Sequence, residues 1–456
     1  MKEGESMKIR KEFYLSALFL ALPNIIQQLV TNFSQMVDNV MVGSLQEVAI
    51  AGVTITNQIF FIFLVVLLGF GATGGIFISQ YRGIKNDEKV TEVFRVILLF
   101  SLGLGVIFFL IMHFTPELVL QIFAKDPATI DSALSYIQYI KYTFLIFPIS
   151  MAIAASYRYI SLVKIPMYIS IITVIISMSL NYVLIYGHFG FPALGVPGAA
   201  IGTLIARIVE LLIFLILTRK LDTPIKITLK KMFSFELYIL KNFINKGYGL
   251  ITNEFMWALS IQILTVIYTQ RISENIAAMS IANVMMNMVF IGMGGMSVAI
   301  SIIIGDHLGQ GKFEKAKEDA KKLIKLGAVL GIALGLVVLG ASFFITMLYD
   351  VNPDTLRTAR IIILITTFFS GVYYLNACIF FIIRAGGDTK GVLIMDSGFN
   401  WVVFLPLAFI IGKFIPVMYI HYLVVQFINL IKFATARYMY KKYNWLNNLT
   451  VQPEEK

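Results

Sequence analysis

Residues 51–57 read AGVTITN, and residues 277–283, one offset of 226 later, read AAMSIAN. The same offset carries the loop ending at Gly83 onto the loop ending at Gly309, and Glu88-Lys89 onto Glu314-Lys315. It also carries Arg158 and Lys164 onto Arg384 and Lys390. Leu, Ile, Val and Phe match one another freely between any two apolar helices, so apolar coincidences carry little weight. Polar residues and glycines that coincide at one constant offset in three separate regions do not arise that way. The two halves of the chain are copies.

The copied unit is built for lipid. Of 456 residues, 58% are hydrophobic and only 14% charged, against about 25% charged in an average soluble protein. That is too little charge to cover a soluble core, so soluble-enzyme and disordered readings are excluded. The single cysteine, Cys378, allows no intramolecular disulfide and no thiolate metal cluster. Four dispersed histidines offer no metal-ligand spacing. No Gly-rich loop followed by Lys-Ser/Thr is present, so ATP hydrolysis is not the expected energy source and no cofactor is expected.

A bilayer core takes about 20 apolar residues per helix. On that measure the chain divides into twelve runs, at 14–41, 51–79, 93–114, 133–157, 162–186, 198–218, 246–268, 276–304, 323–348, 359–383, 391–412 and 415–437. The first run carries Pro23, Gln27, Gln28 and Asp38 and no small-residue cleavage site, so it reads as a retained span rather than a signal peptide. Six spans per copy is an even number, so both copies share one orientation, as a parallel repeat about an axis along the membrane normal. The predicted fold is therefore an all-α membrane protein with twelve transmembrane helices in two pseudo-symmetric six-helix lobes. The expected organisation is an N-lobe at 1–218, a cytoplasmic linker at 219–245, a C-lobe at 246–437 and a cytoplasmic tail at 438–456. The basic linker suits either an amphipathic helix on the anionic inner leaflet or a solvated connection.

Charge placement sets the topology. Of the 37 Lys and Arg, 30 fall at the two termini and in the even-numbered connections, with Arg384 and Lys432 counted among them. Positive residues stay on the cytoplasmic side, which puts both termini inside and the chain in the cell (inner) membrane, in contact with membrane lipids. The net charge of +11 is then explained without a nucleic-acid partner.

Four motifs carry a family resemblance. Pro23 followed by Val37-Asp38-Asn39-Val40-Met41-Val42-Gly43 resembles the first-helix signature of the multidrug and toxic compound extrusion (MATE) transporters. The Gly69 to Gly83 stretch with Gln80 is similar to that family's second-helix end. Gly195-Val196-Pro197-Gly198-Ala199-Ala200 resembles the turn into its sixth helix, and Arg384-Ala385-Gly386-Gly387-Asp388-Thr389 its tenth-helix exit. The resemblance implies a monomeric, non-enzymatic exporter of organic, often cationic and lipophilic small molecules, driven by inward H⁺ or Na⁺.

Ionisable groups inside spans are expensive and mark functional candidates. Asp38 sits late in the first span among Asn32, Gln35 and Asn39; neutralising its carboxylate by a proton or cation would switch the lobe, while a helix-end aspartate wetted by the outer interface is the structural alternative. By resemblance, Asn181 and Thr203 are its companions, hard oxygen donors suited to H⁺ or to Na⁺. Ile185 stands where some relatives carry a second acid, so the choice of ion stays open. Glu254, which the offset places on Gln28, is a second coupling or substrate-site candidate with Asn376; the alternative is a glutamate hydrogen-bonded between helices. Gln28, Gln35, Met285 and Met288 are possible cavity residues, methionine being flexible enough to accept differently shaped ligands, though methionines in a membrane helix also serve as plain packing. Arg207 and Glu210, three apart, read as an ion pair, and Asp388 and Asp396 as loop or cap residues.

The expected function is cation-coupled antiport by alternating access of the lobes. A flippase for lipid-linked precursors or glycolipids on a related fold is the first alternative, and an ion channel the second; the unequal charges of the two copies argue against a channel, whose charged rings commonly repeat. The orientation is directly testable. In a Cys378→Ala background, Lys125→Cys is expected to react with an impermeant maleimide in intact cells, and Lys230→Cys only once the cells are opened. The reverse pattern would overturn the assigned sidedness.

Overall fold

The structure is a computed structural model that describes residues 2–45, 47–227, 229–271, 276–345, 352–415 and 417–451. The expected end of the ninth span (346–348) and the last residues of the tail (452–456) lie outside them. The described residues are helical, without strands. In chain order the helices are α1 (Lys2–Gly43), α2 (Glu47–Gly83), α3 (Asp87–Phe114), α4 (Pro116–Phe123), α5 (Pro127–Ile140), α6 (Thr143–Tyr159), α7 (Lys164–Tyr186) and α8 (Val196–Lys220). There follow α9 (Leu237–Arg271), α10 (Ile276–Gly309), α11 (Phe313–Ile345), α12 (Pro353–Ala385), α13 (Thr389–Leu393), α14 (Leu405–Phe414) and α15 (Met418–Lys441).

These helices supply the twelve spans, one of them as a bent pair. The fourth span is α5 and α6, bent by 56° at Lys141-Tyr142. Asp126 starts it, its carboxylate accepting the Thr129 N–H (3.0 Å) and hydroxyl (2.6 Å), and the hydroxyl bond first of all holds the acid below its usual range. The eleventh span runs from α13 to α14 through two π-helical segments, Ile394–Gly398 and Asn400–Phe404. Such wide turns are uncommon and recur at functional sites; here they hold Asp396 and Asn400. Nine described helices are long and apolar enough to cross a membrane, or ten with the bent pair counted as one span.

The chain forms two compact units. One comprises Ile26–Ile78 and Asn86–Asn245; the other comprises Lys246–Lys456 together with Met1–Ile25 and Ser79–Lys85. The first and second helices thus contribute to both, and α1 passes from one to the other two residues after Pro23.

Within the second unit the ends of α2 and α10 show the duplication as geometry. A Cβ on Gly83 would lie 2.5 Å from the Asp306 carbonyl oxygen, and one on Gly309 would lie 2.0 Å from that of Gln80. Under the 226 offset Gly83 becomes Gly309 and Gln80 becomes Asp306, so these two contacts are the same contact read from either side. That reciprocity is the signature of a local two-fold axis between the helices. Only glycine allows backbone to meet backbone this closely.

The linker is not the continuous amphipathic helix that its basic pattern allowed. The helix α8 ends at Lys220, α9 starts at Leu237, and among the described residues between them only a single 3₁₀ turn, Leu229–Lys231, is helical. The segment is strapped along α3 instead. Thr91 donates to the Pro224 carbonyl (2.8 Å), Arg95 to that of Ser234 (2.7 Å), and Glu92 accepts the Glu236 N–H (2.8 Å). Ile225 is fully buried. The described part of the tail also folds back: Trp445 is fully buried, Asn447 donates to the Gly386 carbonyl (3.2 Å), and Gln80 accepts the Leu449 N–H (2.8 Å).

Gly309→Val and Gly83→Val should each destabilise by about 1–3 kcal/mol through overpacking, read as a lower melting temperature in detergent. Gly103→Ala, where an added Cβ meets nothing within 4 Å, should melt with the wild type. Equal melting of all three would refute the close crossing.

Candidate functional site

In the first unit the late part of α1 brings Asp38 against α7, where Asn181 donates from Nδ2 to the Asp38 Oδ1 at 2.9 Å. Asn181 is buried, and its Oδ1 has no partner among the described residues. The close approach depends on Gly202 of α8, since a Cβ there would lie 2.2 Å from that Oδ1. One residue on, Thr203 comes near the hydroxyl of Tyr136, a buried residue of α5. The charges of Asp38 and Arg207 both reach Tyr136, and Arg207 also acts on Asp38. Arg207 pairs with Glu210 at 2.8 Å and lies over the Phe147 ring at 4.6 Å. Asp38 of α1 and Asn181 of α7 thus meet directly, and Tyr136 of α5, beside Thr203 of α8, lies within electrostatic reach of the carboxylate. Ile185 is buried, so no second acid comes from that turn of α7.

The second unit contains a cavity of about 750 Å³ lined by α9, α10, α12, α15 and the π-helical segments. Glu254 and Asn376 both face it, and so do Arg384, Asp396 and Lys432. Arg384 Nη1 lies 3.7 Å from Glu254 Oε1 while Nη2 donates to Ser297 Oγ at 2.5 Å. Lys432 donates to Asp396 Oδ1 at 2.6 Å and to Asn400 Oδ1 at 3.2 Å. Asn253 donates to Asp396 Oδ2 (3.2 Å) and accepts from the Ser397 hydroxyl (2.7 Å), which fixes the orientation of its amide. Asn376 donates to the Asn429 carbonyl at 3.2 Å.

The MatE family model matches this chain twice, at residues 23–183 and 250–410. The chain belongs to the MATE family of transporters. The double match reports the duplication independently of the 226-residue pattern. Similar curated proteins include the uncharacterized transporter YisQ of Bacillus subtilis, 27% identical with 87% of each chain covered. The probable multidrug resistance protein NorM of Thermotoga maritima is 24% identical over 91% of this chain and 88% of its own. Among solved structures, the Vibrio cholerae MATE transporter VcmN superposes with a TM-score of 0.87 at 14% identity, covering 96% of this chain and 99% of that one. The fold is that of a multi-pass membrane transporter of the multidrug efflux type.

Against this MATE scaffold, the sequence candidates fall into distinct places. Asp38, Asn181 and Thr203 lie in the first cluster, and Glu254 and Asn376 in the second. Gln28 is half-buried and Gln35 exposed on α1, and no described hydrogen bond takes either to Asp38. The methionine expectation needs correction for the cavity of the second unit. The face of α10 turned to it carries Met279, Met286 and Met293, each seven residues from the next; Met285 is buried and Met288 exposed, and neither lines it. Helical periodicity separates the two sets, which composition alone does not.

Four residues escape the sequence reading. Tyr136 looks like any aromatic near a helix end, and no pattern singles it out. Arg384 and Lys432 fall, in sequence, among the charges expected at the cytoplasmic side, yet both face the cavity. Asp396 is likewise no loop residue: the π-helical stretch carries it into the span, opposite Lys432. The offset held a signal for this pair, since Asp396 falls on Ser170 and Lys432 on Ala206, two charges that only one copy has.

Lys432→Met should destabilise the protein by about 3–5 kcal/mol, because it leaves a buried Asp396 unpaired. The Asp396→Asn/Lys432→Met double variant should recover most of that loss in thermal unfolding. A single variant that melts with the wild type would show that the pair contributes no net stability.

Proposed function

We propose that this MATE protein is a secondary active multidrug exporter of the cell membrane, moving organic compounds outward against an inward flow of H⁺ or Na⁺. The observation that carries this reading is the 2.9 Å contact of Asp38 with Asn181. A membrane-embedded carboxylate is held by a neutral amide rather than by a dedicated cation, so its charge is available to the coupling ion. One carboxylate needs one positive charge. A proton supplies it by protonating Asp38; Na⁺ supplies it with Asn181 and Thr203 as further oxygen donors. Loss of that charge changes what Asp38 demands of α5, α7 and α8, and this is the physical lever for alternating access. Tyr136 and Thr203 adjust the hydrogen bonding around it. Arg207, already paired with Glu210, keeps the site from being a simple anion hole. In this reading both termini are cytoplasmic, the transporter acts as a monomer on small molecules within membrane lipid, and no chemical step is catalysed.

Reconstitution decides it. Proteoliposomes loaded with a fluorescent organic cation and given either a pH or a Na⁺ gradient should show efflux under one of the two. Transport under neither would overturn the antiporter reading. Asp38→Asn should abolish gradient-driven efflux while leaving the fold intact. Full activity in that variant would mean that the coupling group lies elsewhere. For Glu254→Gln a smaller, substrate-dependent defect is expected.

A further inference from the structure

The cavity of the second unit has a charge pattern that an organic cation alone does not complement. Its four charged residues are two acids, Glu254 and Asp396, and two cations, Arg384 and Lys432. They form one cluster: Glu254 lies within electrostatic reach of both Arg384 and Asp396. The formal charge of the four is zero. A bare cation entering this space would leave it with an uncompensated positive charge, in surroundings where charge–charge energies are larger than in water. A ligand bearing both signs would leave it neutral.

Each sign also has bonding capacity to offer. Glu254 and Arg384 approach only to 3.7 Å, outside the range of a hydrogen bond, so the carboxylate can take a donor from a ligand. Asn376 is 7% exposed, lines the cavity, and its Oδ1 has no partner among the described residues. Its Nδ2 is committed to the Asn429 carbonyl, which leaves that oxygen as an acceptor. On the other side Lys432 places two of its three N–H donors, on Asp396 and Asn400. Trp257, Phe290 and Phe380 line the same cavity, flat apolar surfaces for the body of a ligand.

We propose that this cavity is a binding site for zwitterionic amphiphiles. The ammonium or other cationic group of the ligand meets Glu254 and the Asn376 oxygen, its carboxylate meets Lys432, and its aromatic or aliphatic body lies against the three rings. The assignment rests on the exporter reading and narrows its substrate class: compounds with both charges are selected here over purely cationic ones of the same shape. The internal pairs keep the cavity neutral when empty, and the ligand replaces part of each pair with an equivalent contact of its own.

Tetramethylrhodamine and its methyl ester make a matched test, since the two dyes share a fluorophore and differ in the carboxylate. Fluorescence anisotropy on the purified full-length protein in detergent should show the free carboxylate form binding about tenfold tighter than the ester. Lys432→Met, which makes the cavity net negative, should reverse the preference towards the cationic ester. The Asp396→Asn/Lys432→Met variant keeps the cavity neutral if the single variant does not fold. In it the zwitterion should lose about tenfold in affinity while the ester is unaffected. Equal affinity of the two dyes, tighter binding of the ester to the wild type, binding of neither, or an unchanged preference in the variants would each overturn the proposal. Because binding is measured without a gradient, failure of efflux in proteoliposomes would count against the exporter reading and not against this site.

Discussion

A charge inside a bilayer-spanning bundle must find its counter-charge or its hydrogen bonds within the protein, because no water or lipid tail will supply them. Much of the internal arrangement of this transporter follows from that constraint. It explains why Arg207 stands three residues from Glu210, why Lys432 meets Asp396 across two helices, and why the Arg384 guanidinium reaches both Glu254 and Ser297. Asp38 meets it with a hydrogen bond alone. It has an amide as its direct partner and feels the Arg207 charge only through space.

Duplication supplied the scaffold and divergence supplied the chemistry. The equivalent arginines still do related work in the two copies: Arg158 donates to Gln27 at 3.3 Å, and Arg384 faces Glu254, one position removed from the equivalent of Gln27. Elsewhere the copies part. Asp38 has Leu264 as its counterpart, and Asp396 and Lys432 have Ser170 and Ala206. The last two charges are both peculiar to the C-terminal copy and pair with each other at 2.6 Å, as charge balance in a low-dielectric interior demands. The close crossing of α2 and α10, by contrast, has kept the same glycines in both copies, because any side chain there separates two backbones.

The span count, the parallel duplication and the family were legible in the residues because they depend on summed or repeated properties. Mean apolarity over about 20 residues is enough to mark a span, and a polar match at a constant offset survives the drift of the apolar ones. Asp38, Asn181, Thr203, Glu254 and Asn376 could be named as candidates because polarity in an apolar run is conspicuous. Lys432 and Arg384 were misplaced for the complementary reason. A cation in the last turns of a span looks the same in sequence whether it faces solvent or a cavity. The methionines of α10 were chosen without a reference direction for the helix, so the periodicity could not say which of them share a face with Asn283 and Asn287.

By itself, then, the sequence determined what this protein dissolves in, how many times it crosses, that it was doubled, and which few polar residues are out of place in lipid. Each is a property of composition along the chain. Tertiary structure alone decided which of those residues meet. It brought Tyr136 of α5 to Thr203 of α8, turned the π-helical stretch so that Asp396 faces Lys432, and set Glu254 at a loose distance from Arg384. It also laid the linker along α3, where backbone and side-chain hydrogen bonds hold it. Partners of that kind lie many residues apart in sequence. Their pairing depends on helix rotation and crossing, which the apolar packing of the whole bundle sets and no local stretch of residues encodes.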